Sequence, residues 1–136
     1  MGSQMTLPTA GHRASDSLLS DKEALARAIT DRLFAAQPDL LDRYGEPGRA
    51  KCLQDMRYNL EHLAPAVALG EPGIFARYVR WLDDLLRARN IPASDVRRSL
   101  EVMEAVISAR LPGEEAAAIA ACIQAGLATL PATGQV

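Results

Sequence analysis

The strongest constraint on the fold is the recurrence of apolar residues every three or four positions through most of the chain, interrupted by short breaks that contain proline or glycine. This spacing places the apolar side chains on one face of an α-helix. It predicts a first helix that ends near residue 37, and further helices over residues 38–44, 47–69, 72–88, 94–111 and from 114 onwards. Such helices must bury their apolar faces against one another, which predicts an all-α domain, either a bundle or a globin-like sandwich.

Local signals predict several helix ends. Ser20 and Glu23 have the spacing of a capping box, which indicates a helix start. Pro65 lies inside the longest predicted helix and indicates a kink or local unwinding there. Gly70 is expected to cap the end of that helix.

The chain of 136 residues has the length of one domain with one core. Residues 1–4 look like a remnant of an expression vector, and the polar, aperiodic sequence up to residue 17 predicts a mobile arm. The globin-like helical domain of about six helices is expected over residues 18–130. Residues 131–136 are expected to form a tail or linker.

Composition excludes several classes of function. The formal net charge of −2, with acidic residues interleaved among the arginines, gives no attraction to nucleic acid. No stretch approaches the roughly 18 apolar residues that a membrane span requires, and no signal peptide is visible. Two cysteines do not make a disulfide framework, so the chain is predicted to be cytoplasmic.

The sequence offers no catalytic or metal-binding constellation. It has only two histidines, His12 and His62, and no second histidine or cysteine stands at metal-ligand spacing from either. It also lacks a glycine-rich phosphate loop. We therefore expect neither an enzyme nor a metal site.

The longest predicted helix carries a polar seam along the edge of its apolar stripe, formed by Cys52, Asp55, Asn59 and His62. A polar seam beside an apolar surface suits a ligand that is mostly apolar but carries a few polar atoms. Each residue also has a structural interpretation. Cys52 can be a packing residue, Asp55 can pair with Lys51, and His62 can lie at the surface.

Residues 51–60, Lys-Cys-Leu-Gln-Asp-Met-Arg-Tyr-Asn-Leu, resemble the phycobiliprotein segment in which Lys-Cys-x-Arg-Asp precedes an aromatic-rich helix. The resemblance continues in register through the small-residue run over 66–70, the turn Asn-Ile-Pro over 90–92 and the helix–proline–helix pattern over 33–41. It covers residues 22–130 and implies a globin fold that holds an open-chain tetrapyrrole, a bilin such as biliverdin.

The resemblance also implies a role for individual residues. Cys52 would attach the pigment through a thioether, and Asp55 would bind the inner pyrrole N–H groups. Gln54 replaces the arginine that pairs with a propionate in the family, a role that Lys51 or Arg57 could take over. The expected chromophore-binding residues are Lys51, Gln54, Asp55, Arg57, Tyr58, Asn59, Tyr78 and Trp81.

The sequence is also similar in texture to the haem-free bacterial globins called photoglobins, in which such a domain typically precedes a cobalamin-binding domain. Tyr-Val-Arg-Trp over residues 78–81 and Ile-Pro over 91–92 carry this likeness. It implies a photosensing or signalling domain. Haem is not expected, because residues 72–88 lack the histidine that would hold the iron. The alternative is a chromophore-free interaction or dimerisation module that regulates a cobalamin-binding partner domain.

Overall fold

The computed structural model describes residues 9–131, which form six α-helices and no strand. The helices are α1 (Ala10–Ser20), α2 (Lys22–Ala36), α3 (Asp39–Leu69), α4 (Pro72–Ala88), α5 (Ala93–Arg110) and α6 (Gly113–Leu127). No helix in this part of the chain is both long enough and apolar enough to cross a membrane. The predicted vector remnant and residues 132–136 of the predicted tail lie outside the described residues.

Helix α1 corrects the prediction of a mobile arm up to residue 17. The helix begins at Ala10, and Ala14 and Leu18 are completely buried in its contacts with α3 and α6. The hydroxyl of Thr9 caps its start by accepting the His12 N–H at 3.1 Å. Two apolar residues one turn apart are too short a pattern to predict a helix. The stability of α1 comes instead from its packing against the rest of the protein, which spacing in the sequence does not reveal.

The predicted capping box is also wrong. Ser20 is still the last residue of α1, and its hydroxyl donates to the Ser17 carbonyl at 3.5 Å. Asp21 takes the N-cap position of α2 without a side-chain hydrogen bond, and the Glu23 carboxylate pairs with Arg57. The sequence indicates one helix that starts at Ser20, whereas in the structure α1 ends at Ser20 and α2 begins at Lys22.

The long helix α3 joins the two predicted helices over residues 38–44 and 47–69. Its one non-helical residue is Gly45, with φ 68° and ψ −171°, a conformation that glycine adopts without strain. The predicted break is thus present but narrow. Unwinding at Pro65 was a wrong prediction, because the backbone keeps helical angles there. Pro65 and Glu61 are both exposed, so water can bind the carbonyl that the missing N–H leaves free.

The other predicted helix ends are confirmed. Gly70 ends α3 in the left-handed conformation, at φ 64°, and the Glu71 N–H donates to the Ala66 carbonyl at 2.9 Å, as in a Schellman cap. Pro72 starts α4, and Pro92 precedes α5. The first turn of α6 carries two acidic residues, where the helix dipole favours negative charge.

The six helices enclose one continuous core, with α3 packed against α1, α2, α4 and α6. Helix α2 also packs on α5, and α4 packs on α6. The apolar stripes predicted from spacing supply this core, including Leu25, Ile29, Leu60, Leu63 and Leu100. The start of the predicted tail is held against α5, since Arg97 donates to the Pro131 carbonyl at 3.1 Å.

Candidate functional site

The main cleft opens where the end of α2, the first half of α3, the second half of α4 and the start of α5 meet. Its volume is about 190 Å³. The walls are mostly apolar, formed by Leu33, Phe34, Leu40, Met56, Leu82, Leu86, Ile91, Val96 and Leu100. Such a cleft suits a ligand with a large apolar surface and a few polar groups.

Helix α3 lines this cleft with one stripe of its surface. The stripe is formed by Gly48, Lys51, Cys52, Asp55, Met56 and Asn59. These residues lie three or four positions apart, which places them on one face of the helix. The structure thus brings the predicted attachment cysteine and the predicted carboxylate into the same apolar cleft.

Cys52 is a free, half-buried thiol. Its burial raises the pKa of the thiol above the usual range, and the nearby Asp55 carboxylate raises it further. Because the thiolate is the nucleophilic form of cysteine, a raised pKa makes Cys52 less reactive than an ordinary exposed cysteine at the same pH. The other cysteine, Cys122, is buried in the core.

The Asp55 carboxylate is partly committed to its own helix. One oxygen accepts a hydrogen bond from Lys51 Nζ at 2.6 Å. The Lys51 side chain is about half exposed, whereas Asp55 is more buried, at 28%. An exposed lysine can leave such a pair at little free-energy cost. Asp55 therefore offers acceptor oxygens to a ligand, with a cation beside it at the rim.

The Asn59 side chain, unlike that of Asp55, makes its hydrogen bonds inside the protein. The Tyr78 hydroxyl donates to Asn59 Oδ1 at 2.6 Å, and Asn59 Nδ2 contacts the sulfur atoms of Met56 and Met103 at 3.7 Å each. Burial raises the pKa of the Tyr78 hydroxyl strongly, which keeps it a donor. Asn59 borders the cleft, but its polar atoms hold α3 to α4 and α5.

Three predicted contact residues of α3 lie outside the cleft. Gln54 donates to the Tyr58 hydroxyl at 3.3 Å on the exposed side of the helix. Arg57 makes two hydrogen bonds to the Glu23 carboxylate, at 2.9 and 2.7 Å. Their positions fall between those of the cleft-lining stripe, so the helical repeat turns them away. Of the two residues predicted to replace the family arginine, Lys51 lines the cleft and Arg57 does not.

The two predicted aromatic contacts of α4 are also placed elsewhere. Trp81 is 58% exposed, and Tyr78 stacks on the His62 ring with centroids 4.2 Å apart. Neither residue lines the cleft, because the face of α4 that points into it carries Leu82 and Leu86. Trp81 is therefore neither a core residue nor a pocket residue.

Several cleft residues were missed from the sequence. Gln37 lines the cleft from the C-terminal end of α2, and Tyr44 lines it from the first turns of α3. Asp95 and Ser99 line it from α5. A signal for the α5 pair does exist. Asp95 and Ser99 border the apolar residues Val96 and Leu100 in the same way that the polar seam of α3 borders its stripe.

Within residues 9–131, no three histidine, cysteine, aspartate or glutamate side chains gather closely enough to hold a metal ion. The candidate chemistry of the cleft thus depends on a thiol, carboxylates and apolar walls. These groups suit the attachment and hydrogen bonding of an organic ligand.

Comparison with known proteins agrees with this geometry. A family model described as phycobilisome protein matches residues 8–130, which is nearly the whole chain. The chain belongs to the phycobilisome protein family. The resemblance to phycobiliproteins and the globin-like all-α fold predicted from the sequence are therefore confirmed. Linear tetrapyrroles are the covalently bound pigments of phycobiliproteins, so family membership supports bilin binding and a non-enzymatic role at the family level.

Individual members of the phycobilisome family are similar to this chain at moderate identity. The allophycocyanin alpha chain of Synechocystis sp. is 27% identical over 110 residues, which cover 77% of this chain and 68% of that protein. The allophycocyanin alpha chain of Cyanidium caldarium is 26% identical over 115 residues, with the same two coverages. The allophycocyanin subunit beta-18 of Aglaothamnion neglectum is 28% identical over 93 residues, or 65% of this chain and 54% of that subunit.

Proposed function

We propose that the main cleft binds a linear tetrapyrrole such as biliverdin, and that the chain is a sensory or signalling domain built on this pigment site. The observation that carries the proposal is the placement of Cys52 and Asp55 one helical turn apart in one apolar cleft. Membership of the phycobilisome family supports the class of ligand.

Cys52 is proposed as the attachment residue. When bound, a bilin supplies an exocyclic carbon–carbon double bond to which a thiol can add, forming an S–C bond while the thiol proton goes to the neighbouring carbon. Cys52 must first lose that proton, and burial raises the pKa of its thiol. Attachment is therefore expected to be slow at neutral pH and faster under mildly alkaline conditions.

Asp55 and Lys51 are proposed to hold the pigment by charge. The Asp55 carboxylate can accept hydrogen bonds from pyrrole N–H groups, and such charge-assisted bonds are stronger away from water. Lys51, which lies 2.6 Å from Asp55 at the rim, can turn outward toward a propionate. This assigns to Lys51 the anion-binding role that Gln54 cannot perform.

The size of the cleft limits how much of the pigment it encloses. Its volume of about 190 Å³ is smaller than the roughly 300–1,000 Å³ of pockets that bury a drug-sized ligand. The thiol, the carboxylate and the apolar walls fit one end of an open-chain tetrapyrrole. The remainder of the pigment would lie in the open mouth of the cleft, at the protein surface.

The test is to co-express the chain with a haem oxygenase and to record visible spectra before and after denaturation. The wild type is expected to show a red absorption band that survives denaturation. Cys52→Ala should lose the surviving band, and Asp55→Asn should weaken or shift the native band. Cys122→Ala is the matched control for cysteine loss and should keep both the native band and the band that survives denaturation. Unchanged spectra in Cys52→Ala and Asp55→Asn would refute this site.

The small volume of the cleft favours a second candidate, a chromophore-free module that dimerises or regulates a cobalamin-binding partner domain. The exposed Trp81 and Leu69, at 58% and 64%, would suit a protein contact. The same experiment separates the two candidates, since a colourless protein under saturating biliverdin supports the second one.

A further inference from the structure

The main cleft carries a second carboxylate, which comes from α5 whereas Asp55 comes from α3. Asp95 lies in the first turn of α5 and lines the same cavity. It is half-buried, and within residues 9–131 its carboxylate makes no hydrogen bond or ion pair. Its backbone carbonyl, in contrast, accepts the Ser99 hydroxyl at 3.0 Å. The free carboxylate thus stands in an otherwise mostly apolar wall.

The charges of the cleft do not balance. The charged residues that line it are Lys51 and Asp55 from α3 and Asp95 from α5, while Tyr44 and Cys52 are its other titratable groups. Lys51 is paired with Asp55, at 2.6 Å. The negative charge of Asp95 is therefore left without a partner in the cleft. Helices α2 and α4 supply only uncharged residues to its lining.

We propose that Asp95 is a specificity-determining residue of this cleft, which selects the N–H-bearing, carboxylate-free end of the ligand for the α5 side. This inference rests on the proposed bilin site and adds the direction in which the pigment lies. An open-chain tetrapyrrole carries its carboxylates on the two inner rings, whereas its terminal lactam rings present N–H groups. The terminal ring that enters the cleft is the part whose N–H group Asp95 would receive, while the propionate-bearing rings would face the mouth of the cleft.

The physical reason is desolvation. A ligand that enters the cleft removes water from the Asp95 carboxylate, and this loss must be compensated by a hydrogen-bond donor. An N–H group supplies that donor and gains a charge-assisted bond. A propionate at the same position would repel Asp95 in a medium of low dielectric constant. The first arrangement is attractive and the second repulsive, so Asp95 can discriminate between a terminal lactam ring and a propionate-bearing inner ring.

Asp95 also has a structural use, because negative charge in the first turn of a helix is stabilising. A purely structural role would change the stability of α5 without changing the electronic state of a bound pigment. The protonation pKa of the pigment, read from its absorption band, is therefore the decisive measurement. Two nearby carboxylates stabilise a protonated pigment, and removal of one lowers that pKa.

The experiment titrates the purified full chain with biliverdin and then follows the bound pigment's spectrum across pH. Asp95→Asn is expected to weaken binding about tenfold and to lower the pigment's protonation pKa. Glu101→Gln, an exposed charge change on the same helix, should alter neither. Thermal unfolding of the pigment-free variants shows whether α5 is intact.

The outcomes separate this inference from the proposed function. If Asp55→Asn weakens binding but Asp95→Asn leaves both affinity and pigment pKa unchanged, the role of Asp95 is refuted while the site stands. If Asp95→Asn has lower thermal stability but an unchanged pigment pKa, the proposed specificity role is also refuted, and Asp95 serves only to stabilise the start of α5. If the wild type binds no biliverdin, the proposed function fails and this inference fails with it.

Discussion

Among single residues, the polar seam of α3 divides into groups that are available to a ligand and groups that the fold uses. Cys52 and Asp55 open into the main cleft. Asn59 accepts a hydrogen bond from the Tyr78 hydroxyl inside the protein, and the His62 ring stacks on the Tyr78 ring. Four residues that look equivalent in the sequence thus have two separate purposes. Only a three-dimensional neighbour, Tyr78, distinguishes them.

The Asn59–Tyr78 hydrogen bond provides a test at this scale. Tyr78→Phe leaves Asn59 Oδ1 buried without a donor, since Asn59 is 2% exposed. We expect a loss of about 1–3 kcal/mol in the free energy of unfolding, measured with urea. Tyr58→Phe removes an exposed hydroxyl that accepts a hydrogen bond from Gln54, so it should change stability by less than about 0.5 kcal/mol. Equal effects of the two variants would show that the buried bond contributes nothing.

Among the helices, spacing in the sequence predicts α2 to α6 and most of their ends, with α3 predicted as two segments. Gly70, Pro72 and Pro92 act as the sequence indicates, because caps and proline positions are local in origin. Helix α1 could not be predicted in this way. Its buried residues Ala14 and Leu18 make too short a pattern, and its stability comes from packing on α3 and α6.

The close packing of α1 on α3 depends on Gly11. A Cβ atom at this position would lie 2.5 Å from the backbone oxygen of Val67, which cannot move aside as a side chain can. Gly11→Ala is expected to reduce the free energy of unfolding by about 1–3 kcal/mol. Gly113→Ala, with open space around its position, should leave stability unchanged or slightly raised. An unaffected Gly11→Ala protein would mean that α1 does not pack as described.

On the scale of the whole molecule, the cleft exists because α2, α3, α4 and α5 meet around it. The α3 side could be predicted, since the spacing of Cys52 and Asp55 is local to one helix. The α5 side could not, because Asp95 lies 40 positions after Asp55 in the chain. Trp81 shows the same limit, since the sequence indicates an apolar face for α4 but not which neighbour each residue meets.

The most direct test of the pigment site is to digest the biliverdin-loaded protein with trypsin and locate the pigment by mass spectrometry. Cleavage after Lys51 and Arg57 releases Cys52 in a peptide of residues 52–57, while Cys122 lies in residues 111–136. The pigment mass should appear on 52–57 alone and accumulate faster at mildly alkaline than at neutral pH. Pigment on 111–136, or a coloured protein with 52–57 unmodified, would contradict attachment at Cys52.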